Sequence, residues 1–204
     1  MCNLVKNHSF EVGTSEWVVQ NVTAADITSF IGTQTARMGS GIASIYQDVS
    51  LRDVSSRIFF LSYEILVPGT ALGIGNLIVE VIWLDAEGRP IGQGLNNYVQ
   101  GSLLIASGRR LTYFNITDPA PSEAESARIQ FSKNSFPTAQ TDQIEIDQVV
   151  FGPVDSFNLL QNPGFELHGN FWDETAVIYT SGSQVFEGTG FAELLSNGPA
   201  SVSQ

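Results

Sequence analysis

The chain has 204 residues, of which 43% are hydrophobic, 15% are charged and 13 are Phe. This composition is far from that of disordered chains and supplies enough apolar side chains for a packed core. Nine Lys and Arg against 21 Asp and Glu leave a formal net charge of −12, which repels phosphate backbones and anionic lipid surfaces and speaks against nucleic acid as a partner. The single cysteine, Cys2, excludes an intramolecular disulfide and a cysteine-based zinc cluster, without fixing the compartment.

The chain starts Met1-Cys2-Asn3-Leu4-Val5-Lys6, with neither an apolar stretch nor a small-residue cleavage site, so no secretory signal is read here. No segment approaches the roughly 18 consecutive apolar residues of a membrane span, and the richest, 58–67, is broken by Ser62 and Glu64. The sequence therefore reads as soluble, with no membrane insertion. The stretch Asn3-Leu4-Val5-Lys6-Asn7-His8-Ser9-Phe10-Glu11 returns as Asn158-Leu159-Leu160-Gln161-Asn162-Pro163-Gly164-Phe165-Glu166. Trp17 returns as Trp172 at the same interval, and Ala43-Ser44-Ile45-Tyr46-Gln47 as Ala200-Ser201-Val202-Ser203-Gln204 after a two-residue drift. Self-similarity at so long a spacing means a repeated domain: one module over 1–155, then an incomplete second copy over 156–204.

Taken in chain order, the predicted elements are strands. Phe59, Leu61, Tyr63, Ile65 and Val67 alternate with Phe60, Ser62, Glu64 and Leu66, a period of two that buries one side of a strand. The β-branched run 77–84 ends on Asp85-Ala86-Glu87-Gly88-Arg89-Pro90, the turn of a hairpin. Further strands are read over 111–117, 127–133 and 143–151, and no segment has the periodicity of an amphipathic helix. In the last strand Ile144 and Ile146 share one face while Val149 and Phe151 lie on the other, so a β-bulge is expected near Asp147. Short strands without intervening helices pack as two antiparallel sheets, giving an all-β sandwich.

The flanking motifs resemble those of carbohydrate-binding modules of families four, nine and twenty-two, which are galactose-binding-like jelly rolls. Asn3, Leu4, Asn7, Phe10, Glu11 and Trp17 match the opening motif; Ile146, Asp147, Val149 and Phe151 match the closing one. A closer likeness is to the N-terminal module of Firmicutes surface proteins that carry collagen-like repeats, through Trp83-Leu84-Asp85-Ala86 and Thr117-Asp118-Pro119-Ala120-Pro121, although no Gly-X-Y repeat occurs here. The resemblance implies a jelly-roll fold and a structural calcium site whose two ends are Glu11 and Asp147. Calcium takes about six to eight oxygens, and residues 32–41 are the expected source of further carbonyls. Against this stands an exposed Glu11 and an Asp147 that only accepts hydrogen bonds from loop amides. A Glu-Gly pair found in some relatives is present in the second copy as Glu187-Gly188 but reads Ile31-Gly32 in the first.

A sugar site needs an aromatic surface rimmed by amides or carboxylates, because pyranose rings present an apolar face and a margin of hydroxyls. Glu80, Arg128 and Gln130 are read as outward-facing, with Tyr113 and Asn115 on the same polar face and Tyr98 on a long loop at its rim. Trp83, at a strand end, fits either the core or the rim, while Trp17 reads as a core anchor. The alternative for the whole set is an ordinary solvated sheet face. The sequence contains no Gly-x-Ser-x-Gly, His-Glu-x-x-His, phosphate-loop or dinucleotide motif, so no enzymatic activity is expected. The chain reads as a non-catalytic extracellular, cell-surface or spore-envelope module for adhesion or assembly that binds a glycan. The alternatives are a module appended to a polysaccharide-degrading enzyme and a purely structural oligomerisation cap. The partial repeat, with open strand edges, is expected to promote a homo-oligomer.

Overall fold

A computed structural model describes residues 3–26, 32–68, 74–101, 104, 110–134, 142–154, 173–175, 177–181, 190–194 and 201–203. The chain divides into two compact units, Met1–Val154 and Asp155–Gln204. The first is an all-β sandwich of two five-stranded sheets whose neighbouring strands all run antiparallel. One sheet has the order β1 (Val18–Gln20), β4 (Ala43–Ser50), β9 (Ser126–Lys133), β6 (Leu77–Leu84), β7 (Pro90–Val99). The other has the order β2 (Val22–Asp26), β3 (Gln34–Met38), β10 (Ile144–Pro153), β5 (Phe59–Leu66), β8 (Arg110–Ile116). Among the described residues none is α-helical, and no helix is long and apolar enough to cross a membrane.

Period-two patterning decides which side of each strand is buried. Ile45, Val79, Ile129 and Phe131 of the first sheet and Leu61 and Ile146 of the second are fully buried. Phe59 and Trp83 meet at 5.6 Å across the sandwich, and Tyr63 meets Phe131 edge-on at 5.2 Å. The Tyr63 hydroxyl accepts a hydrogen bond from Asn97 Nδ2 on the opposite sheet at 2.9 Å, and burial pushes its phenol well above the ordinary tyrosine range.

Trp83 lies in the core, 1% exposed, and not on a binding rim. Its indole fits beneath β7 because Gly92 and Gly94 carry no side chain there. A Cβ at Gly94 would overlap indole Cζ2, and one at Gly92 would approach Cδ1 to 3.3 Å. The register between β6 and β7 shifts between Val81 and Ile82 and again between Trp83 and Leu84. Gly94→Ala is therefore expected to destabilise the sandwich by about 1–3 kcal/mol, the usual cost of overpacking, read as a lower thermal midpoint. An unchanged midpoint would mean that the indole moves aside freely.

The bulge expected near Asp147 is present: the β10–β5 register shifts between Asp147 and Val150, and Gln148 has a φ of 50°. Its consequence is that Ile146 and Val149 are both fully buried despite their spacing. The opening motif clasps the same strand. Asn3 Oδ1 accepts from Phe151 N at 3.0 Å, and Asn3 Nδ2 donates to Val149 O at 3.1 Å. Asn7, at a φ of 44°, donates to the carbonyls of Gly13 and Ser15. Phe10 and Trp17 pack together at 5.3 Å in the core.

Two readings differ from the structure. Residues 34–38 form β3 and are not part of a carbonyl-presenting loop, and Tyr98 lies on β7 and not on a long loop. The phase of β8 is also inverted. Tyr113 stands opposite Tyr63 in register and stacks on it at 5.2 Å and 9°, so Tyr113 and Asn115 take the inner side while Phe114 and Ile116 are 63% and 58% exposed. The reason is local: at this margin the sandwich interior already contains Tyr63 and Asn97, and it accommodates polar atoms better than the apolar pattern of an edge strand suggests.

In the second unit, β11 (Asp173–Thr175) pairs with β14 (Ser201–Ser203), and β12 (Val177–Ser181) pairs with β13 (Gly190–Leu194). These pairings parallel β1–β4 and β2–β3 of the first unit: Asp173 opposite Ser203 corresponds to Val18 opposite Tyr46, and Val177 opposite Leu194 to Val22 opposite Met38. The repeated motif 158–166, Trp172 and Glu187-Gly188 lie outside the described residues.

Candidate functional site

The outward face of the first sheet gathers most of its polar side chains into three rows. The middle row runs Tyr46, Gln130, Glu80, Asn96 across β4, β9, β6 and β7. On one side lie Ser44, Ser132, Ile78 and Tyr98, and on the other Asp48, Arg128, Ile82 and Gln93. Strands β4, β6 and β9 turn Ile45, Val79, Val81, Ile129 and Phe131 inward, and alternation then forces the neighbouring polar residues outward.

The face is held by its own hydrogen bonds. Glu80 Oε1 accepts from Gln93 Nε2 at 3.0 Å and Oε2 from Gln130 Nε2 at 3.3 Å. Gln130 Nε2 also donates to Ser132 Oγ at 3.2 Å. Arg128 donates to Asp48 twice, at 2.7 and 2.9 Å, while its guanidinium carbon lies 4.1 Å from the centre of the Tyr46 ring. Asp48 keeps the guanidinium above its ordinary pKa, despite some burial. Tyr98 is 52% exposed. A cavity of about 470 Å³ borders the face between Lys6, Glu16, Val18 and Tyr46, and a second of about 360 Å³ lies between Arg52, Asp85 and Glu125; both reach Asp48. Fixed acceptors, amide donors and one exposed aromatic ring suit a ligand rich in hydroxyls.

Of the residues singled out from sequence, Glu80, Arg128, Gln130 and Tyr98 come together on this face. Tyr113 and Asn115 do not: they belong to the second sheet and face its inner side. Trp83 is beneath the face and not on it. Tyr46, Asp48, Gln93 and Asn96 were missed. The alternation of Ser44, Tyr46, Asp48 and Ser50 with Ile45 and Val49 was a usable signal for the first two; the glycines and register shifts of β7 obscured the others.

Glu11 and Asp147 stand in different surroundings. Glu11 is exposed and accepts from the backbone N–H groups of Thr33 at 2.9 Å and Gln34 at 3.0 Å, and from Thr33 Oγ1 at 3.1 Å. Asp147 is 2% exposed, accepts from Gln148 N at 2.8 Å, and pairs with Arg110 at 3.1 Å, which also pairs with Glu64 at 2.7 Å. Calcium requires oxygen ligands, whereas these carboxylates face N–H donors and a guanidinium. Among the described residues no group of three or more His, Cys, Asp or Glu gathers as a metal site.

The two carboxyls are displaced in opposite directions. The Gln34 and Thr33 N–H groups hold Glu11 below the usual Glu range. Burial pushes Asp147 above the usual Asp range, and the Gln148 N–H and Arg110 only partly offset it. Glu11 thus contributes stability that is present above its unfolded pKa and lost as pH falls through its lower folded value. Asp147 has the opposite sign: its raised folded value means that the penalty for its charge is relieved as pH falls through that value. A carboxyl-carbon NMR titration is expected to show Asp147 protonating above model Asp and Glu11 below model Glu; displacements of the opposite signs would contradict these environments.

No protein-family profile matches the chain, and no curated protein does. Solved structures do. The chain is similar to the enzymatically active domain of tailspike protein 4 of bacteriophage CBA120, with a TM-score of 0.59 and 17% identity over 74% of this chain and 21% of that one. It is similar to a family 16 carbohydrate-binding module, with a TM-score of 0.51 and 17% identity over 74% of this chain and 99% of that one. A xylan-binding domain of carbohydrate-binding-module family 22 gives a TM-score of 0.53 and 12% identity over 76% of this chain and 98% of that one. The chain thus spans about a fifth of the tailspike chain but nearly the whole of the two binding modules. At these identities the likeness establishes the fold alone: an antiparallel jelly-roll sandwich, which the chain shares with these structures.

Proposed function

We propose that this protein is a non-catalytic glycan-binding module whose ligand lies across the outward face of the first sheet. The observation that carries this reading is the row Tyr46, Gln130, Glu80, Asn96, flanked by exposed Tyr98. Glu80, fixed by two amides, accepts from sugar hydroxyls; Asn96 and Gln93 donate and accept; Tyr98 receives the apolar face of a ring. The jelly-roll fold shared with binding modules of similar length supports the same reading. We assign no metal to this site. The setting proposed is extracellular, on a cell or spore envelope, where the module serves adhesion or assembly, and self-association through the second unit is part of this proposal. Light scattering of the full chain tests self-association: a monomer at all concentrations would remove that part.

Binding is tested on a glycan panel with wild type, Glu80→Ala and Tyr98→Ala. A hydrogen bond to a charged group contributes about 1.5–3 kcal/mol, so Glu80→Ala is expected to weaken affinity roughly tenfold or more. Tyr98→Ala is expected to cost about twofold to tenfold, in line with aromatic contacts of about 0.5–1.5 kcal/mol. Undiminished binding in both variants would place the ligand elsewhere.

A further inference from the structure

We infer that Asp48 is a specificity-determining residue that restricts the proposed glycan site to uncharged sugars by occupying the face's own arginine; this rests on the glycan-binding reading above. A carboxylated sugar is recognised through a guanidinium, whose two parallel N–H groups match the two oxygens of a carboxylate. Arg128 is the cation among the outward strand positions of this face, and its Nε and Nη2 edge is already taken by both oxygens of Asp48 at 2.7 and 2.9 Å. One side of its plane lies against Tyr46.

Cross-strand register makes this arrangement a property of the sheet. Asp48 stands directly opposite Arg128 on adjacent strands, where opposite charges attract and side chains are closest. The pair is only partly buried, with side-chain exposures of 41% and 28%, so it borders the ligand surface. Nearby cations are also paired: Lys6 with Glu16 at 3.9 Å, and Arg52 with Glu125 at 2.9 Å. Glu80 adds a negative charge, which accepts from the amides of Gln93 and Gln130. A uronate approaching this face meets the negative charges of Asp48 and Glu80, and finds the Nε and Nη2 edge of Arg128 occupied. An uncharged sugar meets acceptors for its hydroxyls.

The test uses the full chain, the strongest neutral oligosaccharide from the panel, and a uronate-bearing oligosaccharide of the same backbone. Wild type is expected to favour the neutral ligand at least tenfold. Asp48→Asn is expected to narrow that ratio at least tenfold, with the acidic binding weakened by salt. Asp48→Ser serves as a second variant, because it has no amide oxygen to keep the arginine engaged. The narrowing should vanish in Asp48→Asn/Arg128→Gln. Equal or stronger uronate binding by wild type, or an unchanged ratio in both single variants, would overturn the role of Asp48 while leaving glycan binding intact. Absence of binding to any glycan by wild type would instead overturn the functional reading itself.

Discussion

Replacing Lys133 with Met is expected to destabilise the first unit by about 3–5 kcal/mol, the usual cost of removing one partner from a buried ion pair. Lys133 and Asp142 both have fully buried side chains, and they meet at 2.7 Å. The ammonium also donates to the carbonyls of Gly41 at 2.6 Å and Asp142 at 3.0 Å, while Asp142 Oδ1 accepts from Gly75 N at 2.8 Å. One charge pair thereby ties the approaches to β4, β6 and β10 to the end of β9. Met fills much of the volume of Lys but leaves the Asp142 carboxylate without its cation. Lys133→Met/Asp142→Asn should recover part of the loss, because Asn removes the stranded charge and its amide oxygen still accepts from Gly75. Chemical denaturation measures both. If the single variant were within about 1 kcal/mol of wild type, in the range of exposed pairs, the pair would be no clasp.

Trp83→Ala is expected to cost about 3–5 kcal/mol of stability, as large-to-small changes of buried aromatic residues do. The indole is 1% exposed, packs on Phe59, and fills the space that Gly92 and Gly94 leave open. Trp83→Phe should cost less and leave glycan affinity per folded molecule unchanged. This pair of variants separates the two readings that the sequence left open for Trp83. A loss of affinity in Trp83→Phe without a lower midpoint would return the residue to the binding surface.

The sandwich was legible because most central strands follow the period-two rule. Phe59–Leu66, Leu77–Leu84 and Ser126–Lys133 bury alternate residues much as their patterns require. The bulge in β10 was legible because a buried Ile146 and Val149 cannot share one face of a regular strand. Edge strands obey a weaker rule. The phase of β8 followed neither hydrophobicity nor β propensity, because the stacking of Tyr113 on Tyr63 and the polar margin of the core decided it.

The candidate site was partly legible for the same reason. Glu80, Arg128 and Gln130 lie on regular central strands, so their outward direction could be read from their neighbours. Which sheet a strand joins is a long-range property, and Tyr113 and Asn115 were therefore grouped with residues of the opposite sheet. The Asp48–Arg128 pair joins residues distant in the chain and became visible only through the β4–β9 register. The opening motif Asn3, Asn7 and Phe10 proved to be structural: it fastens the first residues to β10 and fills the core.

The central claim is that the outward face of the first sheet holds a glycan, and residue-resolved NMR titration of the full chain with the best-bound oligosaccharide tests it most directly. The account expects saturable shifts centred on Tyr46, Glu80, Asn96, Tyr98 and Gln130, with little change at Phe60, Phe114 and Ile116 of the second sheet. Shifts centred on those second-sheet residues, or no saturable shift with any oligosaccharide, would contradict it.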